Sequence, residues 1–425
     1  MASSGAILSL DAIGGQDSFL TSKENKESYF NYNTNRHSNF SIYQSTRIVN
    51  RPAVGAGENW PFNQSIQFEL DPKNMGDLLT NMYISCKLPD LEDSENYKRY
   101  VSNVGYHLIK KLTFRVDEIE AEHIYDDWIV MYNELFNNNA RKRTMNALMD
   151  DKNNIIIPLP LFFSRMYGIN DADNKLLDND YFKNYFPLCA IHKQKILIII
   201  EFNPITFFSD TEGQINLDNF SCITEAIVLT KEETNFLRYE KLKLTYNTIR
   251  RQPILDIAAN AEIIKSTLVS DTVVRTLFWF FRRTDFENVT DTSKIDHRFN
   301  FSNKETDQET NPIMSNMNIF INGVNTPGPS VDTTRSLIHT RHFYKYIQSG
   351  LYSPDKDVFS YTFSLKPHDP YPTGELDFRK VTMERAFLQG ILHKDAISTY
   401  SFHSYYTGFV SFEFEGGFMK SPYDS

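Results

Sequence analysis

Apolar and polar residues alternate with a period of two along much of the chain, the pattern of strands with one face buried and one wet. Ile66, Phe68 and Leu70 alternate with Gln67 and Glu69. Met82, Ile84, Cys86 and Leu88 alternate with Tyr83, Ser85 and Lys87, and Leu112, Phe114 and Val116 with Thr113 and Arg115. Lys195 to Phe202 is apolar nearly throughout and predicts a strand buried on both faces. The second half behaves alike. Val274 to Phe281 reads as a strand, and Met317, Ile319 and Ile321 alternate up to an Asn322-Gly323 turn. Phe359, Tyr361, Phe363 and Leu365 form another strand pattern, and Val410, Phe412 and Phe414 a last one that Gly416-Gly417 breaks.

Two stretches read as helices. Ile124, Trp128, Met131 and Leu135 fall on one helical face. Thr230 with Glu233 three residues on is a capping-box signature, opening a helix that buries Phe236, Leu237 and Tyr239 only in part. Strands therefore dominate both halves, which predicts an all-β protein with short inserted helices rather than βαβ alternation. Long polar segments at Asn170 to Asp180, Thr284 to Asn311 and Gly323 to Ser336 predict surface loops. A chain of 425 residues exceeds a single core and predicts two domains. The polar, Gly-containing stretch from Phe207 to Asn219 places the boundary at residues 212/213.

Composition sharpens this. The 33 Phe and 23 Tyr favour pleated, half-buried surfaces. The formal net charge of −10 lacks the basic excess that neutralises phosphates, which argues against direct nucleic-acid binding. Cys86, Cys189 and Cys222 contain no C-x-x-C pair and read as free thiols in apolar strands, as in a reducing compartment. Met1 to Leu10 has no basic region or long apolar run of a signal peptide, and the apolar runs Ile155 to Phe163 and Ile196 to Ile200 are too short to span a bilayer.

Candidate chemistry is sparse. His339 and His342 would point to opposite faces of a strand, poor geometry for a shared metal. Asp171, Asp173 and Asp178 sit in an acidic loop, but Leu176 and Phe182 stand where a calcium loop needs Gly and Glu. Phosphate-loop, nucleophile-elbow and zinc-protease motifs are absent. No residue is therefore assigned a catalytic, cofactor-binding or metal-ligating role, and no cofactor is expected. Glycosylation sequons begin at Asn39, Asn63, Asn219, Asn288 and Asn300, and the long polar loop makes Asn288 and Asn300 the ones expected to be exposed. Arg141, Lys142 and Arg143 form a basic cluster, either a solvated helix end or a contact for a neighbouring acidic loop.

Several blocks, in order along the chain, resemble the major capsid proteins of nucleocytoplasmic large DNA viruses. Gly5 to Thr21 (GAILSLDAIGGQDSFLT) is similar to that family's G-x-L-x-x-L-x-A-x-G-x-Q-D-x-x-L-T stretch, with Ile7 at the first Leu. Phe30 to Phe40 resembles F-x-x-x-Y-R-R-x-T-N-F through Arg36, Asn39 and Phe40, while Thr34 and Asn35 depart from it. Tyr100 to Leu135 follows the family's strand-then-helix passage, through Trp128 to Tyr132-Asn133-Glu134-Leu135. Ile157 to Arg165 resembles I-P-L-x-F-W-F, and Phe186 to Ile191 resembles L-P-L-I-A-L. Val228 to Leu237 is similar to Y-L-D-x-E-E-R-x-x-F, with Thr230 and Thr234 replacing an acid and an arginine. Leu277, Phe278 and Trp279 sit where an L-I-W strand is expected. In Ser349 to Val381, Tyr361, Phe363, Leu365, Lys366, Pro367, Pro372, Gly374 and Phe378 align with Y-S-F-A-L-K-P-x-x-x-x-P-S-G-x-x-N-F-S-R; Asp377 replaces Asn and Arg379 comes one residue early.

The resemblance implies two consecutive eight-stranded antiparallel jelly-roll barrels, residues 26–212 and 213–425, after an N-terminal arm, 1–25, on the inner side of a shell. It implies a homotrimeric, pseudo-hexagonal capsomer in the virion, contacts with neighbouring capsomers and with minor capsid proteins, assembly in host cytoplasm or a virus factory, and no enzymatic activity. Two other readings stand beside it: a scaffold-type double jelly-roll lattice protein absent from the mature particle, and a carbohydrate-binding or enzymatic jelly roll with a metal or acidic pair inside a barrel.

Overall fold

The structure, a computed structural model, describes residues 40–49, 60–91, 100–137, 139–165, 185–209, 215–270, 272–287, 298–303, 313–326, 356–365, 367, 372–381, 385–394 and 396–421. The N-terminal segment 1–39, the acidic loop 170–180 and the pair His339 and His342 lie outside the described residues.

Among the described residues, the first half carries nine strands: β1 (Ser41–Ile48), β2 (Ser65–Leu70), β3 (Leu78–Lys87), β4 (Ile109–Val116), β5 (Ile119–Tyr125), β6 (Ile155–Pro158), β7 (Phe186–Pro187), β8 (Ile196–Phe202) and β9 (Asp218–Val228). They form two sheets, β1-β9-β3-β6 with the two-residue β7 beside β3, and β2-β8-β4-β5. Every pairing is antiparallel, and the chain crosses repeatedly between the sheets, staying in one only from β4 to β5 and from β6 to β7, the interleaving of a jelly roll. The second half carries β10 (Leu242–Arg251), β11 (Leu255–Ile257), β12 (Ile263–Thr267), β13 (Val273–Val274), β14 (Thr276–Arg283), β15 (Met314–Ile321), β16 (Val324–Asn325), β17 (Phe359–Thr362), β18 (Leu376–Asp377), β19 (Phe387–Leu392), β20 (Tyr400–Glu415) and β21 (Phe418–Lys420). Its sheets run β10-β20-β14-β17 and β12-β19-β15-β16, the same order position for position. The fold is thus all-β, a double jelly roll.

The alternation read from the sequence appears in the burial. In β2 the residues alternate exposed and buried, and in β3 the row Met82, Ile84 and Cys86 faces the core. In β4, Phe114 packs edge-on against Phe162, Phe163 and Phe186 at centroid distances of 5.8, 5.4 and 5.5 Å. The second barrel has its own core, in which Trp279 stacks on Phe359 at 6.2 Å. Asn322 and Gly323 take φ of 52° and 83° and form the tight hairpin turn expected from their sequence.

Among the described residues four α-helices are inserted: a single turn α1 (Gly105–Leu108), then α2 (Asp126–Phe136), α3 (Asn139–Asp150) and α4 (Lys231–Tyr239). The capping box on α4 forms as read, with reciprocal bonds between Thr230 and Glu233. The first predicted helix starts two residues later than its apolar spacing suggests, because Ile124 pairs with Leu112 as the penultimate residue of β5.

Other expectations are corrected. Lys195 to Phe202 is not buried on both faces: β8 alternates buried and half-exposed, because the outer face of its sheet carries no covering layer among the described residues. Gly416-Gly417 does break the strand, as expected, since β20 ends at Glu415. With φ of 63° and 94° the pair turns the chain into β21, which returns antiparallel on β20. The Phe359 strand stops at Thr362, and Leu365 is exposed. The boundary at 212/213 falls inside the first barrel, since β9 pairs with both β1 and β3 and fills the middle of their sheet. The chain passes between sheet systems at residues 229–241, through α4. A polar, Gly-containing loop marks a chain reversal and does not distinguish a reversal within a barrel from one between barrels.

Candidate functional site at the interface between the two barrels

Two acids open α2, where the helix N-terminus favours negative charge. Both are buried, and both meet arginines from the second half. Asp126 Oδ2 accepts from Arg298 Nη2 at 2.6 Å and from Asn203 Nδ2 at 3.1 Å. Asp127 Oδ1 accepts from Arg282 Nη2, and its Oδ2 accepts from the Tyr405 hydroxyl at 3.3 Å. Arg282 Nε donates to the Arg298 carbonyl at 2.9 Å, tying the two pairs together. His403 Nδ1 lies 3.4 Å from Asp127 Oδ2, and the ring stacks on Phe280 at 4.8 Å. Phe207 from the first barrel lies 4.0 Å from the Arg298 guanidinium.

These charges set one another. Burial alone would raise the Asp127 carboxyl, but Arg282, His403 and Arg298 hold it well below the usual carboxylate range. Burial keeps His403 below its ordinary value against the pull of Asp127. Burial, with Arg298, Arg282 and Lys356, holds His107 well below its own. The site therefore carries ionised Asp127 and Arg282 with neutral histidines at neutral pH.

A second contact uses Glu122 of β5. Its Oε1 accepts from Arg165 Nη2 at 2.6 Å and from the Ile249 N–H of β10 at 3.0 Å, and its Oε2 from the Phe162 N–H at 2.7 Å. Arg165 Nη1 donates to the Asn247 carbonyl of β10 at 2.8 Å. The ion pair of the first barrel thus grips the backbone of the second, with both charges satisfied by hydrogen bonds. Apolar contacts fill the space between. Trp128 meets Phe278 and Tyr405 at 5.9 and 6.4 Å, Phe162 meets Tyr246 at 4.9 Å, and Phe299 meets His107 at 4.6 Å. One apolar core accordingly runs from the first barrel into β10, β14 and β20.

The geometry has the chemistry of a fastener. The carboxylates are taken up by the arginines, while Arg298 Nε and Nη1 and Asn203 Oδ1 stay buried without a hydrogen bond, and the described residues contain no cluster of three or more His, Cys, Asp or Glu placed to hold a metal. Burial pushes the Cys86 and Cys222 thiols up to about 12; Cys189, with Asp77 nearby, rises to about 11, so none is a ready nucleophile. The basic cluster is not a solvated loop: it lies on α3, where Lys142 is buried and pairs with Glu134 at 3.1 Å. Of the sequons, Asn63 and Asn219 are exposed, Asn39 and Asn288 lie outside the described residues, and Asn300 is buried, against expectation. Residues 298–303 of the long polar loop tuck into the interface instead, because Arg298, Phe299 and Phe301 find partners there. The interface residues Asp126, Asp127, Glu122, Arg282 and Arg298 were not singled out from the sequence. The available signal was charge embedded in aromatic runs, as in Trp279 to Arg283 and Arg298 to Phe301.

Residues 28–227 match the family described as the major capsid protein N-terminus. The chain is 21% identical over 413 residues to the major capsid protein of Pyramimonas orientalis virus, covering 91% of this chain and 92% of that one. It is 24% identical over 217 residues to probable capsid protein 4 of Acanthamoeba polyphaga mimivirus, covering 47% and 38% of the two chains. Its fold matches a chain of the PBCV-1 virus capsid at a TM-score of 0.71 and 14% identity, covering 93% of this chain and all of that one. The Faustovirus major capsid protein matches at 0.62 and 10%, covering 97% and 98%. The chain is a double jelly-roll protein. Its similarity is to the major capsid proteins of large DNA viruses, as the sequence blocks indicated.

Arg282→Met should destabilise the protein by about 3–5 kcal/mol in denaturant unfolding, since it strands a buried carboxylate, whereas the Arg282→Met/Asp127→Leu double variant should recover part of that loss. The melting temperature should fall from pH 7 to pH 5. Below the ordinary histidine value of 6.5 the unfolded chain takes up protons that folded His107 and His403 refuse. Asp127 adds to the loss only below the ordinary carboxylate value of 3.8. Thermal melts across this range should be flatter for the His107→Gln/His403→Gln variant than for the wild type.

Proposed function

We propose that this protein is a major capsid protein that builds the outer icosahedral shell of a large DNA virus as a homotrimeric, pseudo-hexagonal capsomer. The observation that carries the reading is one chain holding two jelly rolls of identical strand order, fastened by buried ion pairs. Three such chains give six similar lobes, the outline that tiles a curved sheet. A tile needs the angle between its lobes fixed, and charges buried in specific pairs fix it better than apolar contact alone, because any slip leaves a charge without its partner. The described residues present no competing catalytic arrangement, and the shell role asks for no cofactor.

The 1–25 arm then lies on the inner side of the shell, against minor capsid proteins, and the protein gathers in host cytoplasm or a virus factory before assembly. Its net charge of −10 suits contacts with protein rather than with the packaged nucleic acid. Negative-stain imaging and light scattering of the purified chain test the reading. We expect pseudo-hexagonal particles near three times the 49.5 kDa chain mass. A chain that stays monomeric at every concentration would overturn it.

A further inference from the structure

Each barrel contributes one buried histidine to the joint between them. His107 of α1 belongs to the first half, and Arg298 and Phe299 of the second half close over it, the Phe299 ring at 4.6 Å. It hydrogen-bonds the Phe207 carbonyl and keeps Nδ1 buried with no hydrogen bond. His403 of β20 belongs to the second half, and Asp127 of α2 lies over it at 3.4 Å. Its Nε2 is 2.9 Å from the Ser401 Oγ, and its ring stacks on Phe280. A cavity of about 180 Å³ adjoins His107, lined by Ser102, Asn103, Glu134 and Lys356, with room for several waters. Protons carried by that water reach His107 without either barrel opening.

The charges around both rings are already matched. Asp126 and Asp127 answer Arg298 and Arg282, and Glu287 lies 4.0 Å from Arg282. Arg251 of β10 adds positive charge beside His403, as Lys356 does beside His107. Glu134, across the cavity, is taken up by Lys142 at 3.1 Å. Burial pushes the phenols of Tyr106 and Tyr405 up, so they stay neutral. An imidazolium at either position therefore enters a surplus of positive charge away from bulk water, and burial with these cations holds both rings neutral. Both rings reach water when the barrels part. Two nearby groups do not share this role. His123 of β5, 3.3 Å from Glu120, keeps solvent access. Burial pushes the Asp357 carboxyl up to about 6, so it keeps its proton better in the folded chain and works with the opposite sign.

We propose that this joint is an acid-sensitive latch: protons taken up by His107 and His403 part the two barrels along it while each barrel stays folded. The latch belongs to the single chain and stands whether or not three chains assemble. It is whole above pH 6.5, the ordinary histidine value, and weakens as the pH falls below it, because the parted barrels accept protons that the closed joint refuses. By pH 5 the loss reaches up to about 25-fold for each histidine and about 600-fold for the pair. The Asp127 carboxyl, held well below the usual range, is still ionised there, so the histidines act before it does. An acidified compartment is the setting in which the two barrels loosen.

The test is amide hydrogen exchange of the full chain, read by mass spectrometry from pH 7 to pH 3 and corrected for the intrinsic effect of pH. Ile249 lies on the edge strand β10 and gives its N–H to Glu122 of the first barrel, so its exchange reports the joint. β8 and β19 lie inside their own sheets and report the barrels. Ile249 should lose up to about 600-fold of its protection by pH 5, while β8 and β19 keep theirs. In His107→Gln/His403→Gln the loss should be less than about tenfold. Unchanged protection at Ile249 down to pH 5, or equal loss in β8 and β19, overturns the latch. So does a folded double variant that follows the wild type. Should the double variant fail to fold, the wild-type profile decides. Onset near the histidine value of 6.5 supports the latch, and onset near the carboxylate value of 3.8 overturns it.

Discussion

The two barrels of this chain are held to one arrangement by two buried carboxylates and the arginines that meet them. Asp126 and Asp127 lie at the start of one helix in the first half, and each needs a guanidinium that only the second half supplies. An unpaired carboxylate at that depth costs several kcal/mol, so any displacement of one barrel against the other is opposed by more than lost apolar contact. Around these pairs Arg282 also holds the Arg298 carbonyl, and Phe207 and Phe280 cover the charged groups from solvent. The aromatic layer through Trp128, Phe162 and Phe299 supplies most of the buried area, but aromatic surfaces tolerate sliding and do not by themselves fix an angle. The division of labour is plain: apolar burial holds the barrels together, and the ionic pairs choose one arrangement.

That arrangement has consequences for the sheet edges. A jelly roll leaves edge strands, and unpaired edges invite uncontrolled association. The second barrel hides the outer face of one sheet beneath the first. The first barrel has no third barrel to do the same, and its corresponding face carries outward isoleucines on β1. The two barrels, equal in strand order, thus differ in how far the described residues cover this face.

Much of the fold was legible in the sequence, because period-two alternation is a direct image of a sheet with one dry face. Met82, Ile84 and Cys86, or Leu112, Phe114 and Val116, could face nothing but a core. The Asn322-Gly323 turn and the Thr230 capping box were equally direct, since each residue type answers a local backbone demand. What depends on a distant partner was not legible. Lys195 to Phe202 looks buried on both sides, and only the absence of a covering layer among the described residues leaves Leu197 and Ile199 half-exposed. The break at 212/213 looked like a domain boundary because pairing of β9 with β1 spans about 180 residues and leaves no local mark. Asp126, Asp127, Arg282 and Arg298 carry no local mark of their burial, because burial of a charge is decided by a partner more than 150 residues away. Asn300 was misplaced for the same reason: its polar neighbourhood in sequence is a buried one in space.

The account stands on the two barrels behaving as one mechanical body. Scanning calorimetry of the full chain at neutral pH measures this most directly. A single endotherm in which both barrels melt together, with calorimetric and van't Hoff enthalpies in agreement, is the result predicted. Two separated endotherms, one for each jelly roll, would contradict it.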